Sequence, residues 1–182
     1  LLERDWLVVQ EEEQVKINKP KIGIMVEVPS VLFQIGEFAE LVDFFSVGSN
    51  DLIQYLLAVD RNNSRVSSMY SHFHPSILRA LKRLVEECHT YDNPISICGE
   101  MAGDPLSAIL LMAMGFNTLS MSSSNILRVR KAICHVPMDD AKRLLDETIK
   151  MDNPLIVKSW MEYYFRHHGL ADMVKSNRLI NG

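Results

Sequence analysis

The chain has 182 residues, 47% of them hydrophobic, which is enough for one domain with a real core and too few for two large ones. Its formal net charge of −4 argues against a nucleic-acid or anionic-membrane partner, and no apolar run is long enough to span a bilayer. Three cysteines, an odd number without CxxC spacing, in a chain with no signal peptide pattern, predict a reducing, cytoplasmic setting.

The opening LLERDW lacks an initiator Met and reads as part of a polar helix ending near Glu13. The chain is therefore expected to be an excised piece, with residues 1–19 the end of a preceding helix and a linker. IGIMVEV (22–28) is a β-branched strand closed by Pro29, followed by a helical stretch from about Ser30 to Leu41. DFFSVG (43–48) is a second strand, and SNDLIQYLLAV (49–59) reads as a loop with Asn/Asp capping that enters a short helix. HPSILRALKRLVEECHTY (74–91) is an amphipathic helix and PISIC (94–98) a third strand. GEMAGDP opens a helix at Asp104-Pro105, a good N-cap followed by proline in the first turn, and that helix stops at Gly115. FNTLSMS (116–122) is a fourth strand; three helices follow, and the tail NRLING is expected to fray.

Strand, loop and helix thus repeat about four times over residues 20–135, with 136–182 as carboxyl-terminal helices and tail. The expected class is α/β, a parallel sheet covered on both faces, with its functional residues at the carboxyl ends of the strands. Four βα units make half of an eight-stranded barrel, so part of the sheet is expected to lie elsewhere.

Polar residues do fall at those strand ends. Glu27 and Asp51 would come from adjacent strands, and two carboxylates about 4 Å apart repel by roughly 4 kcal/mol at an effective dielectric near 20. A hard cation removes that cost; Mg²⁺ is the first choice and Mn²⁺ the second, completed by substrate phosphate. The competing reading has Glu27 in solvent and Asp51 as a helix N-cap. Gly48 and the backbone N–H groups of Ser49 to Asp51 form a weak anion-binding signal. Arg61, in AVDRNN, has the fork that grips phosphate, against the plainer reading of a surface ion pair with Asp60.

Cys98 ends the third strand where a Gly-punctuated loop begins. A thiol with no cation or His nearby in sequence stays protonated at neutral pH, so it would donate a proton rather than attack; packing is the alternative. Cys88 and Cys134 are assigned to structure. The six His show no metal spacing and read as surface or capping residues, and WMEYYF (160–165) reads as core or interface packing. SSMYSHFHP (67–75) is an aromatic loop that would cover either a site or an interface.

Taken together, GIMVEVPS, DFFSVGSNDLIQYLLAVDRNN, HPSILRALK, ICGEMAGDP and LSMSSSNILRVR, in order over about residues 20–135, resemble the carboxyl-terminal phosphoenolpyruvate-binding domain of Enzyme I of the bacterial phosphotransferase system. SVGSNDL and LLAVDRNN resemble its nitrogen-related branch, usually fused to a GAF domain; pyruvate phosphate dikinase and phosphoenolpyruvate synthase share the barrel and are the nearest alternatives. The resemblance implies the second half of a (β/α)₈ TIM-type barrel. It implies Glu27 and Asp51 as Mg²⁺ ligands, Asn50 and Arg61 as phosphate contacts, and Cys98 as the acid that protonates the enolate carbon. It further implies a phosphoryl acceptor His on a separate amino-terminal domain, onward transfer to a histidine-containing phosphocarrier protein, release of pyruvate, and a homodimer. None of the six His here is then the phosphohistidine, and this chain alone is expected not to turn over phosphoenolpyruvate. A reading of another class is a non-catalytic ligand-binding and dimerisation module.

Overall fold

The computed structural model describes residues 2–174. Four strands, β1 (Gly23–Val26), β2 (Phe44–Gly48), β3 (Ile95–Cys98) and β4 (Thr118–Ser120), form one parallel sheet in the order β1-β2-β3-β4. The helices are α1 (Leu2–Glu13), α2 (Ile35–Ala39), α3 (Ser49–Leu57), α4 (Pro75–Thr90), α5 (Pro105–Met114), α6 (Ser123–His135), α7 (Met138–Thr148) and α8 (Pro154–His167). Each strand is followed by helix, the connection that parallel pairing requires.

Sequence alternation decides which side of the sheet is covered. Val26, Phe45, Val47, Ile95 and Ile97 are 0–1% exposed and join a core built with Leu52, Ile53, Ile77, Leu78, Leu81 and Ile109 from the helices. Their neighbours Met25, Ser46, Ser96, Thr118 and Ser120 point the other way, and Met25, Thr118 and Ser120 are exposed. The expectation of a sheet covered on both faces is therefore corrected: among the described residues one face carries the helices and the other is open. FFSVG, ISIC and TLS alternate large apolar with small or polar side chains, which suits a sheet with two different faces.

The helices follow their capping signals. At α4, Pro75 occupies the first turn, the His74 side chain accepts from the Ser76 N–H, and Ile77, Leu78, Leu81, Leu84, Val85 and Cys88 make the buried stripe. At α5, Asp104 caps the Ser107 N–H, Pro105 follows, and Gly115 closes the helix at φ +99°. Nearly all of α5 is buried, because α6, α7 and α8 pack around it. The single helix expected from Ser30 to Leu41 is instead a 3₁₀ turn (Pro29–Phe33) and α2, broken at Gln34 (φ −133°); the break sends Ile35 fully into the core and leaves Phe33 outside. The tail NRLING lies outside the described residues. Among the described residues no helix is long and apolar enough to cross a membrane.

Candidate active site

Because all four strands are parallel, their carboxyl ends share one rim. The register aligns Gly48 of β2 with Cys98 of β3, and Cys98 with Ser120 of β4. Glu27 follows directly after β1, half-buried, and folds over Gly48: a Cβ on that glycine would stand 3.0 Å from Glu27 Oε2. The missing side chain of Gly48 is the space that the carboxylate uses. Cys98 is half-buried on the same open face, two strand spacings, or about 10 Å of backbone, from β1.

The turn from β2 into α3 is tighter than the sequence reading allowed. The helix begins at Ser49, and its N-cap is Gly48, without a side-chain cap bond. Asp51 is therefore not an N-cap; it sits exposed in the first helical turn, where a carboxylate is favoured by the helix dipole. Ser49 is 1% exposed and its Oγ donates to the Cys98 carbonyl at 2.5 Å. Asn50 Oδ1 accepts from the Glu100 N–H at 3.1 Å. With Oδ1 engaged as acceptor, the NH₂ group of Asn50 supplies two further donors. Gly99, at φ +106°, passes between them, and a Cβ there would meet Ser49 Oγ at 2.5 Å and Asn50 Oδ1 at 2.9 Å. Only glycine meets both requirements.

Arg61 does not pair with Asp60. Its guanidinium Nη1 lies 3.5 Å from Glu100 Oε1, while Asp60 accepts from the Asn62 N–H. Arg61, Asn62, Ser67, Tyr70 and Glu100 line a cleft of about 380 Å³, so the aromatic loop forms one wall of the cleft beside Arg61. Tyr70 keeps its proton there: burial first, and then the charges of Glu100 and Asp51, push the phenol up to about 12. Sequence reasoning gave Tyr70 no signal beyond an aromatic loop, and it placed Glu100 at the end of the third strand without foreseeing its pairing with Arg61.

The same loop is tied down by His72, whose Nε2 lies 3.6 Å from Asp104 Oδ2. Burial raises the Asp104 pKa, but His72 and the two hydrogen bonds from Ser107 outweigh it and hold the carboxyl below its ordinary value. His72 thus has a partner that spacing did not reveal. Of the other cysteines, Cys88 is buried, and desolvation pushes its thiol up to about 12, while Cys134 is exposed on α6.

Among the described residues, no three or more His, Cys, Asp or Glu side chains gather as a metal cage. What the rim offers is Glu27 and Asp51 on adjacent βα turns, which fits a hard cation completed by substrate phosphate and water and does not fit a soft transition metal. A cavity of about 540 Å³, lined by Trp6, Val9, Ile17 and Gly23, lies at the amino end of β1 and includes no rim residue.

Residues 2–138 match the family model described as PEP-utilising enzyme, PEP-binding domain. The chain is 38% identical over 96% of its length to a protein of Salmonella typhimurium named "Phosphoenolpyruvate-dependent phosphotransferase system", and covers 23% of that protein. It is 36% identical over 89% of its length to the "Phosphoenolpyruvate-protein phosphotransferase" of Haemophilus influenzae, covering 28% of it, and 42% identical over 73% of its length to that of Enterococcus faecalis, covering 23%. The chain thus spans about a quarter of the length of these relatives. With its parallel βα units and a rim of carboxylates, amide, guanidinium and thiol, the chain belongs to the PEP-utilising enzymes, as their PEP-binding domain.

Proposed function

We propose that this chain is the carboxyl-terminal half of the barrel of a phosphoenolpyruvate-protein phosphotransferase, with residues 20–135 carrying the site and the helices of 136–174 buttressing it. In this reading Glu27 and Asp51 hold Mg²⁺, with Mn²⁺ as its substitute, and the ion neutralises phosphate charge when bound. Asn50 donates its NH₂ to a phosphate oxygen. Arg61 exchanges Glu100 for phosphate, an inexpensive exchange because an exposed ion pair contributes only about 0–1 kcal/mol.

The phosphorus–oxygen bond of phosphoenolpyruvate breaks as the phosphoryl group passes to a His nitrogen on a separate amino-terminal domain, and from there to a histidine-containing phosphocarrier. The bond electrons remain on the enolate. Cys98 Sγ gives its proton to the methylene carbon, a C–H bond forms, and pyruvate leaves; the thiolate then recovers a proton from solvent. Positioning and electrostatics carry the phosphoryl step. A homodimer of the full-length protein belongs to the same proposal.

The observation that supports this most is the common rim: Glu27 over Gly48, Cys98 in register with Gly48, and Asn50 bonded to the residue that pairs with Arg61. In the full-length protein, Cys98→Ala is expected to abolish pyruvate formation while phosphoenolpyruvate still binds. Unchanged turnover would instead assign Cys98 to packing.

A further inference from the structure

A hydroxyl that is 1% exposed in the first turn of a helix needs a partner, and Ser49 finds one outside its own helix, in the Cys98 carbonyl at 2.5 Å. The next peptide is constrained from both sides. Gly99 is forced into φ +106°, and Ser49 Oγ and Asn50 Oδ1 stand 2.5 and 2.9 Å from where its Cβ would be. Asn50 then takes the Glu100 N–H. Two consecutive residues of one βα turn thereby grip the peptide after Cys98 and the amide of Glu100.

The direction of the Cys98 side chain is set by β3 on one side and by this peptide on the other. Ile95 and Ile97 are 0–1% exposed on the helix-covered face, so Ser96 and Cys98 belong to the open face, beside Gly48. Strand pairing holds the residues before the thiol, whereas the residue after it is a glycine, whose backbone is intrinsically permissive. A buried hydroxyl on the carbonyl of Cys98 supplies the missing restraint.

We infer that Ser49 is a positioning residue for Cys98, its hydroxyl fixing the Cys98–Gly99 peptide so that the thiol faces the rim. The role rests on the reading of Cys98 as the proton donor, but the positioning itself can be measured without turnover. Ser49 touches no reacting atom in this role; it acts through the backbone of Cys98.

The test is alkylation by iodoacetamide of the 182-residue chain, followed residue by residue by mass mapping across pH, with exposed Cys134 as internal reference. Ser49→Ala should change the Cys98-to-Cys134 rate ratio about fivefold, the equivalent of one ordinary hydrogen bond. Ser49→Thr, which keeps the hydroxyl, should keep the ratio and its pH profile. Ser49→Val has the shape of threonine without the hydroxyl and should behave as Ser49→Ala, so the comparison does not depend on one variant. An unchanged ratio in the alanine and valine chains would overturn the inference. So would loss of cooperative melting in both beside a normal threonine chain, since the hydroxyl would then support the fold alone. If Cys98→Ala leaves turnover of the full-length protein intact, the proton-donor reading falls and the labelling result stands; an unchanged ratio beside a turnover-dead Cys98→Ala removes Ser49 alone.

Discussion

The carboxylate of Glu27 occupies the space that a side chain on Gly48 would fill, its Oε2 3.0 Å from that imagined Cβ. Strand β1 thereby delivers its acid across the end of β2 towards Cys98, and the absence of one Cβ is what lets it lie there. The backbone of Gly48, at φ −82°, needs no glycine. Gly48→Ala should therefore fold: Glu27 Oε2 at 3.0 Å and Met25 Sδ at 3.3 Å are ends of flexible side chains, and only Glu27 Cβ, at 3.1 Å, must shift with its backbone by a few tenths of an ångström. An overpacking cost of about 1 kcal/mol is expected in urea unfolding, with Mg²⁺-dependent phosphoenolpyruvate binding weakened more than stability. Binding equal to wild type would show that Glu27 does not need its position over β2.

Gly99 is the opposite case. Alanine there meets both a left-handed backbone at φ +106° and the Ser49 hydroxyl at 2.5 Å. Gly99→Ala should cost at least about 2 kcal/mol and raise the exchange rate of the Glu100 amide, which donates to Asn50. Equilibrium unfolding and amide exchange together check this. Exchange raised without loss of stability would mean that the loop moves aside freely.

Asp104 joins the cap of α5 to His72 of the aromatic loop. Asp104→Ala should lower stability at pH 7 by about 1 kcal/mol, and Asp104→Asn, itself a good cap, by less. Because the folded pKa of Asp104 lies below the ordinary value of about 3.9, its contribution is complete above that pH and disappears as pH falls through the folded value. The gap between wild type and Asp104→Ala, read by urea unfolding, should therefore narrow towards pH 3. A gap that widens in acid would contradict the sign.

Cys88 and Cys98 should part company in chemistry. Desolvation pushes the Cys88 thiol up to about 12 and it is buried, whereas Cys98 is half-buried at the rim. In the folded chain Cys88 should resist alkylation at neutral pH while Cys98 reacts, and both should react in denaturant. Equal protection of both thiols would place Cys98 in the packing.

The strands and the long helices were legible because their signals are local. Apolar runs ended by glycine or proline mark β1 to β3, a short run ended by serines marks β4, and Asp104-Pro105 and Gly115 bound α5 as their backbone preferences require. The open face was misread because FFSVG and ISIC look continuous in a window that counts serine and cysteine as tolerable in a core, while the structure sorts them by alternation. Arg61 with Glu100, His72 with Asp104, and Ser49 with Cys98 were not legible: their partners lie 39, 32 and 49 residues apart in sequence and meet only through strand pairing and loop packing. The competing reading of Asp51 as a cap fails because the helix starts two residues earlier, at Ser49.

The most direct measurement is thermal melting of this chain with Mg²⁺ alone and with Mg²⁺ plus phosphoenolpyruvate, beside Glu27→Ala. At about 100 times Kd, occupancy of the rim should add roughly 2.7 kcal/mol. A rise in Tm that needs both ligands and vanishes in Glu27→Ala is the predicted result. A cooperative melt that neither ligand moves would contradict the claim that Glu27, Asp51 and their neighbours form a working part of the site.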